Sequence, residues 1–153
     1  MGLITYDIPE SMKFQLFTDG GSRGNPGDSA YAYIIRDQEG REIASGSNYL
    51  GVMTNNEAEY HGLLAGLKEV QSRGGTEVEV FMDSELVIKQ LKGQYRVKAA
   101  NLAPLNKEAV DILSGMRTAK VTHVRREHEV IVKADALVNW TLDQHNLARQ
   151  LRR

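Results

Sequence analysis

Apolar side chains recur along this chain at two different periods, and the switches between them mark out its elements. Lys13 to Thr18 reads as a first strand, with Leu16 and Phe17 at its buried end. Ala30 to Arg36, rich in Tyr, Ile and Ala, has the make-up of a half-buried second strand. Asp37-Gln38-Glu39-Gly40 is a turn, and Arg41 to Leu50 returns as a third strand. Connections this short imply antiparallel neighbours, so the chain is expected to open with a meander.

The period then changes to that of a helix. Tyr60, Leu63, Leu64, Leu67 and Val70 fall on one helical face after Glu57. Thr54-Asn55-Asn56 offers capping oxygens before it, and Arg73-Gly74-Gly75 closes it. Val78, Val80 and Met82 alternate with Glu77, Glu79 and Phe81 in a fourth strand that ends at Asp83. Strand, helix, strand in this order suggests a parallel crossover. Ser84 is placed to cap a short helix, Glu85 to Lys92, and Gly93 to Asn101 reads as a polar loop. Leu102, Leu105, Ala109, Ile112, Leu113 and Met116 mark another amphipathic helix, with Pro104 tolerable in its first turn. Ala119 to Arg125 is a fifth strand. The last helix is expected from about Val132 to Leu147, with Ala134, Leu137, Val138, Thr141 and His145 on one face.

Composition narrows the class. A chain of 153 residues, 41% hydrophobic and 25% charged, is an ordinary globule of one-domain size. Residues 1–12 show no period and are read as an N-terminal arm; 13–148 form the domain; 149–153 are a basic, solvated C-terminal tail. The arm has no basic segment leading into an apolar one, and no stretch is apolar enough to cross a bilayer. With no cysteine there is neither a disulfide framework nor a thiolate metal site, and a cytoplasmic location is the expectation. The net charge of -1 gives no global attraction to nucleic acid, so such binding needs a local basic patch or a bridging metal. A monomer is the default, since no exposed apolar stripe stands out.

The chemistry sits in carboxylates. Asp19 follows the apolar end of the first strand, where a charge is costly unless paired or chelated, and Gly20 and Gly21 beside it allow backbone to approach closely. Taken alone, the segment to Gly27 is more simply a hairpin turn. Asp83, however, ends the fourth strand, Glu59 lies in the first turn of the first helix, and Asp135 in the last helix. With parallel neighbours the first two emerge at one sheet edge, where open α/β sheets build their sites. Gathered carboxylates repel and raise one another's pKa values. A pair of hard cations such as Mg²⁺ relieves that repulsion and suits phosphodiester chemistry.

Four segments carry a resemblance. Thr18-Asp19-Gly20-Gly21-Ser22-Arg23-Gly24-Asn25-Pro26-Gly27, Thr54-Asn55-Asn56-Glu57-Ala58-Glu59-Tyr60, Met82-Asp83-Ser84-Glu85-Leu86-Val87 and Ala134-Asp135-Ala136-Leu137-Val138-Asn139 together resemble the ribonuclease H family, type 1. The likeness covers Phe14 to about Leu147 and is specific in the order and spacing of all four. It implies an α/β, ribonuclease H-like fold: a five-stranded mixed sheet flanked by about four helices. It implies hydrolysis of the RNA strand of RNA–DNA hybrids by two Mg²⁺ ions, with Mn²⁺ as substitute, leaving 3′-hydroxyl and 5′-phosphate ends. The implied ligands are Asp19, Glu59, Asp83 and Asp135. Asn25, Asn55 and Asn56 match positions that reach the hybrid's minor groove, and Thr54 one that helps hold a DNA phosphate. Glu85 stands where many relatives carry Gln. Arg125 is a phosphate-contact candidate, and His128 a candidate for the mobile loop His of many relatives, although it does not align cleanly. Many members also insert a basic helix and loop to grip the hybrid. Here Gly93 to Asn101 is short, which resembles a compact branch lacking that protrusion. Cleavage of double-stranded RNA is a further expectation, and a non-catalytic nucleic-acid-binding module of the same fold is the alternative; loss of a motif acid would favour it, and none is lost.

Overall fold

The computed structural model describes residues 11–152. Strands β1 (Lys13–Gly24), β2 (Gly27–Arg36) and β3 (Glu42–Met53) form the expected meander. Helix α1 (Asn55–Ser72) crosses to β4 (Glu77–Met82), then α2 (Glu85–Leu91), α3 (Ala103–Ser114), β5 (Thr118–His123) and α4 (Glu129–Leu151) follow. The sheet order is β3-β2-β1-β4-β5, with β1–β2 and β2–β3 antiparallel and β1–β4 and β4–β5 parallel.

Period-2 alternation in β1 sends neighbouring side chains to opposite faces, and each face has its own core. Phe14 and Leu16 pack with Tyr60, Leu63, Leu67, Val80 and Met82 under α1–α3. Phe17 packs with Ala32, Ile34, Ile131, Ala134 and Val138 under α4. Helix α1 lies unusually close to β1 because small residues face it. A Cβ on Gly20 would sit 2.4 Å from the Ala58 carbonyl carbon, and one on Gly66 would sit 2.5 Å from Leu16 Cδ1. Its N-terminus is fixed by a capping box. Thr54 Oγ1 accepts from Glu57 N at 3.2 Å, and Glu57 Oε1 accepts from Thr54 N at 3.0 Å.

The boundaries that bear on the site differ from the sequence expectation. Strand β1 does not end at Thr18, just before Asp19, but runs on to Gly24, because Gly20 to Gly24 pair residue by residue with Tyr31 to Gly27 of β2. Its parallel pairing with β4 stops at Phe17↔Phe81, and that divergence opens a cleft beside Asp19. β5 stops at His123, two residues short of Arg125. Helix α4 begins at Glu129, since His128 caps it, and Asp135 is therefore nearly two turns in. The segment expected as a frayed tail instead continues α4 to Leu151. There Arg149 Nη2 lies 3.5 Å from Asp28 Oδ1 and 2.9 Å from His145 Nε2. Of the expected N-terminal arm, residues 1–10 lie outside the described residues; Met12 O accepts from Thr76 N at 2.9 Å.

Candidate active site

Three acids from three elements meet at the cleft. Asp19 of β1 and Glu59 of α1 are 6% and 4% exposed, and Asp83 follows β4. Oxygens of all three carboxylates lie within 4.8 Å of one another. Glu59 is buried in the first turn of α1, because Gly20 lets that turn settle onto β1. Asp135 of α4 lines the same cleft, of about 280 Å³, but is itself exposed.

The electrostatics follow from that crowding. Burial first, then the charges of Asp83 and Asp135, push the Asp19 carboxyl up to about 7. Burial and the neighbouring Asp19 and Asp83 also raise Glu59. Asp83 is raised by burial, with Arg126 opposing the shift. Arg126 Nε stands 4.0 Å from Asp83 Oδ2, and His123 Nε2 lies 3.2 Å from the Asp83 carbonyl oxygen. Glu59 Oε2 is buried and has no hydrogen-bond partner among the described residues. A buried carboxylate oxygen without a donor costs free energy, and among the described residues the cations lining the cleft, Arg23 and Arg126, stand against Asp143 and Asp83 rather than Glu59. Hard oxygen donors in this number, short of compensating charge, fit a divalent cation such as Mg²⁺ or Mn²⁺. Asp19, Glu59 and Asp83 would hold it, with Asp135 beside them.

The expected reading residues surround this cluster unevenly. Asn25, in the β1–β2 turn, accepts from Asn55 N through Oδ1 at 3.1 Å, and Asn55 Oδ1 accepts from Ser22 N at 3.2 Å. The hairpin and the start of α1 are thus tied together by the two amides. Thr54 is the helix cap next to them, and Asn56 is half-buried on the first turn. Glu85 is engaged elsewhere: Lys89 Nζ lies 2.6 Å from its Oε1, one helical turn away. His128 spends Nδ1 on capping α4, accepting from Val130 N at 3.2 Å, while its ring stacks on Phe17 with centroids 5.3 Å apart. It does not line the acidic cleft, and neither does Arg125; Arg126, one residue on, does. No period operates in that loop, so nothing in the sequence chooses between the two arginines. Arg23 and Asn139 also line the cleft and were not singled out. Asn139 stands four residues after Asp135, a helical neighbour spacing that was available as a signal.

Comparison with known proteins agrees with this architecture. A family model described as "Reverse transcriptase-like" matches residues 17–141. The chain is 37% identical over 127 residues to Ribonuclease HI of Halobacterium salinarum, covering 83% of this chain and 63% of that protein. It is 38% identical over 133 residues to a bifunctional protein of Mycobacterium tuberculosis, 86% of this chain but 36% of the relative's length. The chain therefore spans about a third to two thirds of these relatives. Among solved structures, the Halobacterium salinarum RNase H1 superposes with a TM-score of 0.82 at 36% identity, covering 86% of this chain and 98% of that one. The N-terminal RNase H domain of the Mycobacterium tuberculosis protein, solved as a maltose binding protein fusion, gives 0.85 at 36% identity over 91% and 99%. LC11-RNase H1 in complex with RNA/DNA hybrid gives 0.80 at 36% identity over 86% and 98%. As in the compact branch, Gly93 to Asn101 forms no additional helix. The fold, the four acids on their separate elements and these likenesses agree: the chain belongs to the ribonuclease H family, type 1.

Proposed function

We propose that this chain is a divalent-cation-dependent endonuclease that hydrolyses the RNA strand of RNA–DNA hybrids, leaving 3′-hydroxyl and 5′-phosphate ends. The observation that carries the reading is the convergence of the Asp19, Glu59 and Asp83 carboxylates within 4.8 Å, two of them buried. Bound there, two Mg²⁺ or Mn²⁺ ions would supply positive charge against the carboxylates and Lewis acidity toward the scissile phosphate.

The chain's own residues supply position and discrimination. Gly20 and Gly21 leave the cleft floor without side chains, so a phosphate can approach the carboxylates directly. The Asn25 and Asn55 amides, locked to each other and to Ser22, form a rigid pair at the cleft rim. Amides both donate and accept, which suits 2′-hydroxyls and base edges of a shallow minor groove. Thr54, at the N-terminus of α1, is placed where backbone N–H groups favour an anion such as a DNA-strand phosphate. Arg126 balances Asp83 before substrate arrives and lies within reach of a phosphate afterwards.

The test is cleavage of an end-labelled hybrid with Mg²⁺, with EDTA, and with the Asp83→Asn variant, alongside matched RNA–RNA and DNA–DNA duplexes. Cleavage of the hybrid's RNA strand, with any further cleavage falling on the RNA–RNA duplex and none on DNA–DNA, and all of it lost in both controls, is the expected result. Activity that survives EDTA or Asp83→Asn overturns the cation-dependent reading. Binding without cleavage under all conditions returns the chain to a non-catalytic hybrid-binding module.

A further inference from the structure

Of the four acids, Asp135 is the one that packing does not hold. Asp19 and Glu59 are fixed by burial in the sheet and under α1, whereas Asp135 is exposed on α4. Its neighbour one turn on compensates. Asn139 Nδ2 donates to the Asp135 carbonyl oxygen at 3.1 Å and to Asp135 Oδ2 at 3.3 Å. On its other side, Arg23 Nη2 donates to the Asn139 carbonyl oxygen at 3.3 Å and to Asn139 Oδ1 at 3.4 Å. The same Nη2 lies 2.7 Å from Asp143 Oδ1, a further turn along α4.

We infer that Asn139 is a positioning residue for Asp135, oriented in turn by Arg23 of the β1–β2 hairpin. The inference rests on the reading of Asp135 as a cation ligand. A carboxamide has one accepting and one donating end, and a guanidinium only donates. Arg23 therefore fixes the amide with Oδ1 toward the hairpin and the NH₂ toward Asp135. One oxygen of Asp135 is thereby occupied, and the other is left for a cation. Partners that orient a ligand in this way change metal affinity when removed, typically by 10–100-fold. The arrangement also joins the strand end leading to Asn25 to the acid on α4.

The experiment is a Mg²⁺ titration of the hybrid-free protein, followed by amide NMR shifts at Gly20 and Asp135, with thermal midpoints in EDTA measured in parallel. Asn139→Leu is expected to raise half-saturation about tenfold, with the EDTA midpoint unchanged. Arg23→Leu shifts it in the same direction by less, Arg23→Lys restores it because lysine also only donates, and the double Leu variant is no weaker than Asn139→Leu alone. Gln144→Leu, on the same helix, leaves it unchanged. If Asp135→Asn weakens binding while Asn139→Leu does not, the positioning role is wrong and the ligand assignment stands. If Asp135→Asn has no effect, the ligand assignment falls and takes this inference with it. Additive Arg23 and Asn139 effects overturn the part assigned to Arg23.

Discussion

The acidic cluster should make the cation-free protein less stable than it would be without one of its charges, and Asp19→Asn isolates that cost. The Asp19 carboxyl is pushed from the ordinary 3.8 to about 7, by burial first and then by Asp83 and Asp135. A carboxyl raised on folding binds a proton in the folded state that the unfolded chain has released. Its contribution to stability is complete below pH 3.8 and is lost as pH rises to about 7. The gap corresponds to roughly 4 kcal/mol between the two limits, a ceiling because the neighbouring acids titrate together. Asparagine is neutral throughout and nearly isosteric. In EDTA at pH 8 the variant should be more stable, and half the ceiling, about 2 kcal/mol, corresponds to about 4–8 °C in Tm for a chain of this size. The advantage should shrink as pH falls toward 4. Mg²⁺ should reverse the order, because cation binding to the folded state stabilises the wild type and the variant has lost a ligand. The assay is thermal unfolding by circular dichroism from pH 4 to 9, in EDTA and in Mg²⁺. A variant no more stable than wild type at pH 8 in EDTA, or an advantage that is flat with pH, refutes the reasoning.

Other positions separate structure from chemistry. Gly20→Ala places a methyl 2.4 Å from the Ala58 carbonyl carbon, so α1 must lift and carry Glu59 with it; Mg²⁺-dependent turnover should fall at least tenfold, and wild-type turnover would remove the close-packing account. Tyr60→Phe strips the hydroxyl that donates to Gln90 Oε1 at 2.6 Å and accepts from Asn106 at 3.1 Å. It should cost about 1–3 kcal/mol in urea unfolding and leave hybrid cleavage intact. His128→Ala removes the cap of α4 and should cost about 1 kcal/mol with turnover retained; a turnover loss without a stability loss would give the imidazole a role in the reaction instead. Because the Gly93 to Asn101 connection offers only Arg96 and Lys98, a salt series of hybrid binding should give a shallower slope than for relatives that carry the basic protrusion.

Much of this protein was legible in the chain itself, because the signals involved are local. The 3.6-residue spacing of Tyr60, Leu63, Leu67 and Val70 requires an amphipathic helix whatever lies beside it, and all four are buried. The Thr54 and Ser84 caps need only the next three residues. The alternation of Val78, Val80 and Met82 marks a strand with one face inward. The four acids were readable from the motifs that carry the resemblance, and the fold brings Asp19, Glu59 and Asp83 within 4.8 Å of one another with Asp135 lining the same cleft.

What the tertiary structure alone decided depends on partners far away in sequence. Gly20 to Arg23 have weak strand preference, and they remain extended because β2 supplies a partner for every one of them. Glu59 is buried because Gly20 permits a backbone approach that no helical period encodes. Arg126 rather than Arg125 faces Asp83, since side-chain direction in a loop is set by the neighbours available. Asp19, finally, lies in mid-strand, and it reaches a cleft only because β4 parts from β1 after Phe17. That parting sets a carboxylate that stays buried against the cleft. It depends on how two strands twist past each other, which no local pattern records.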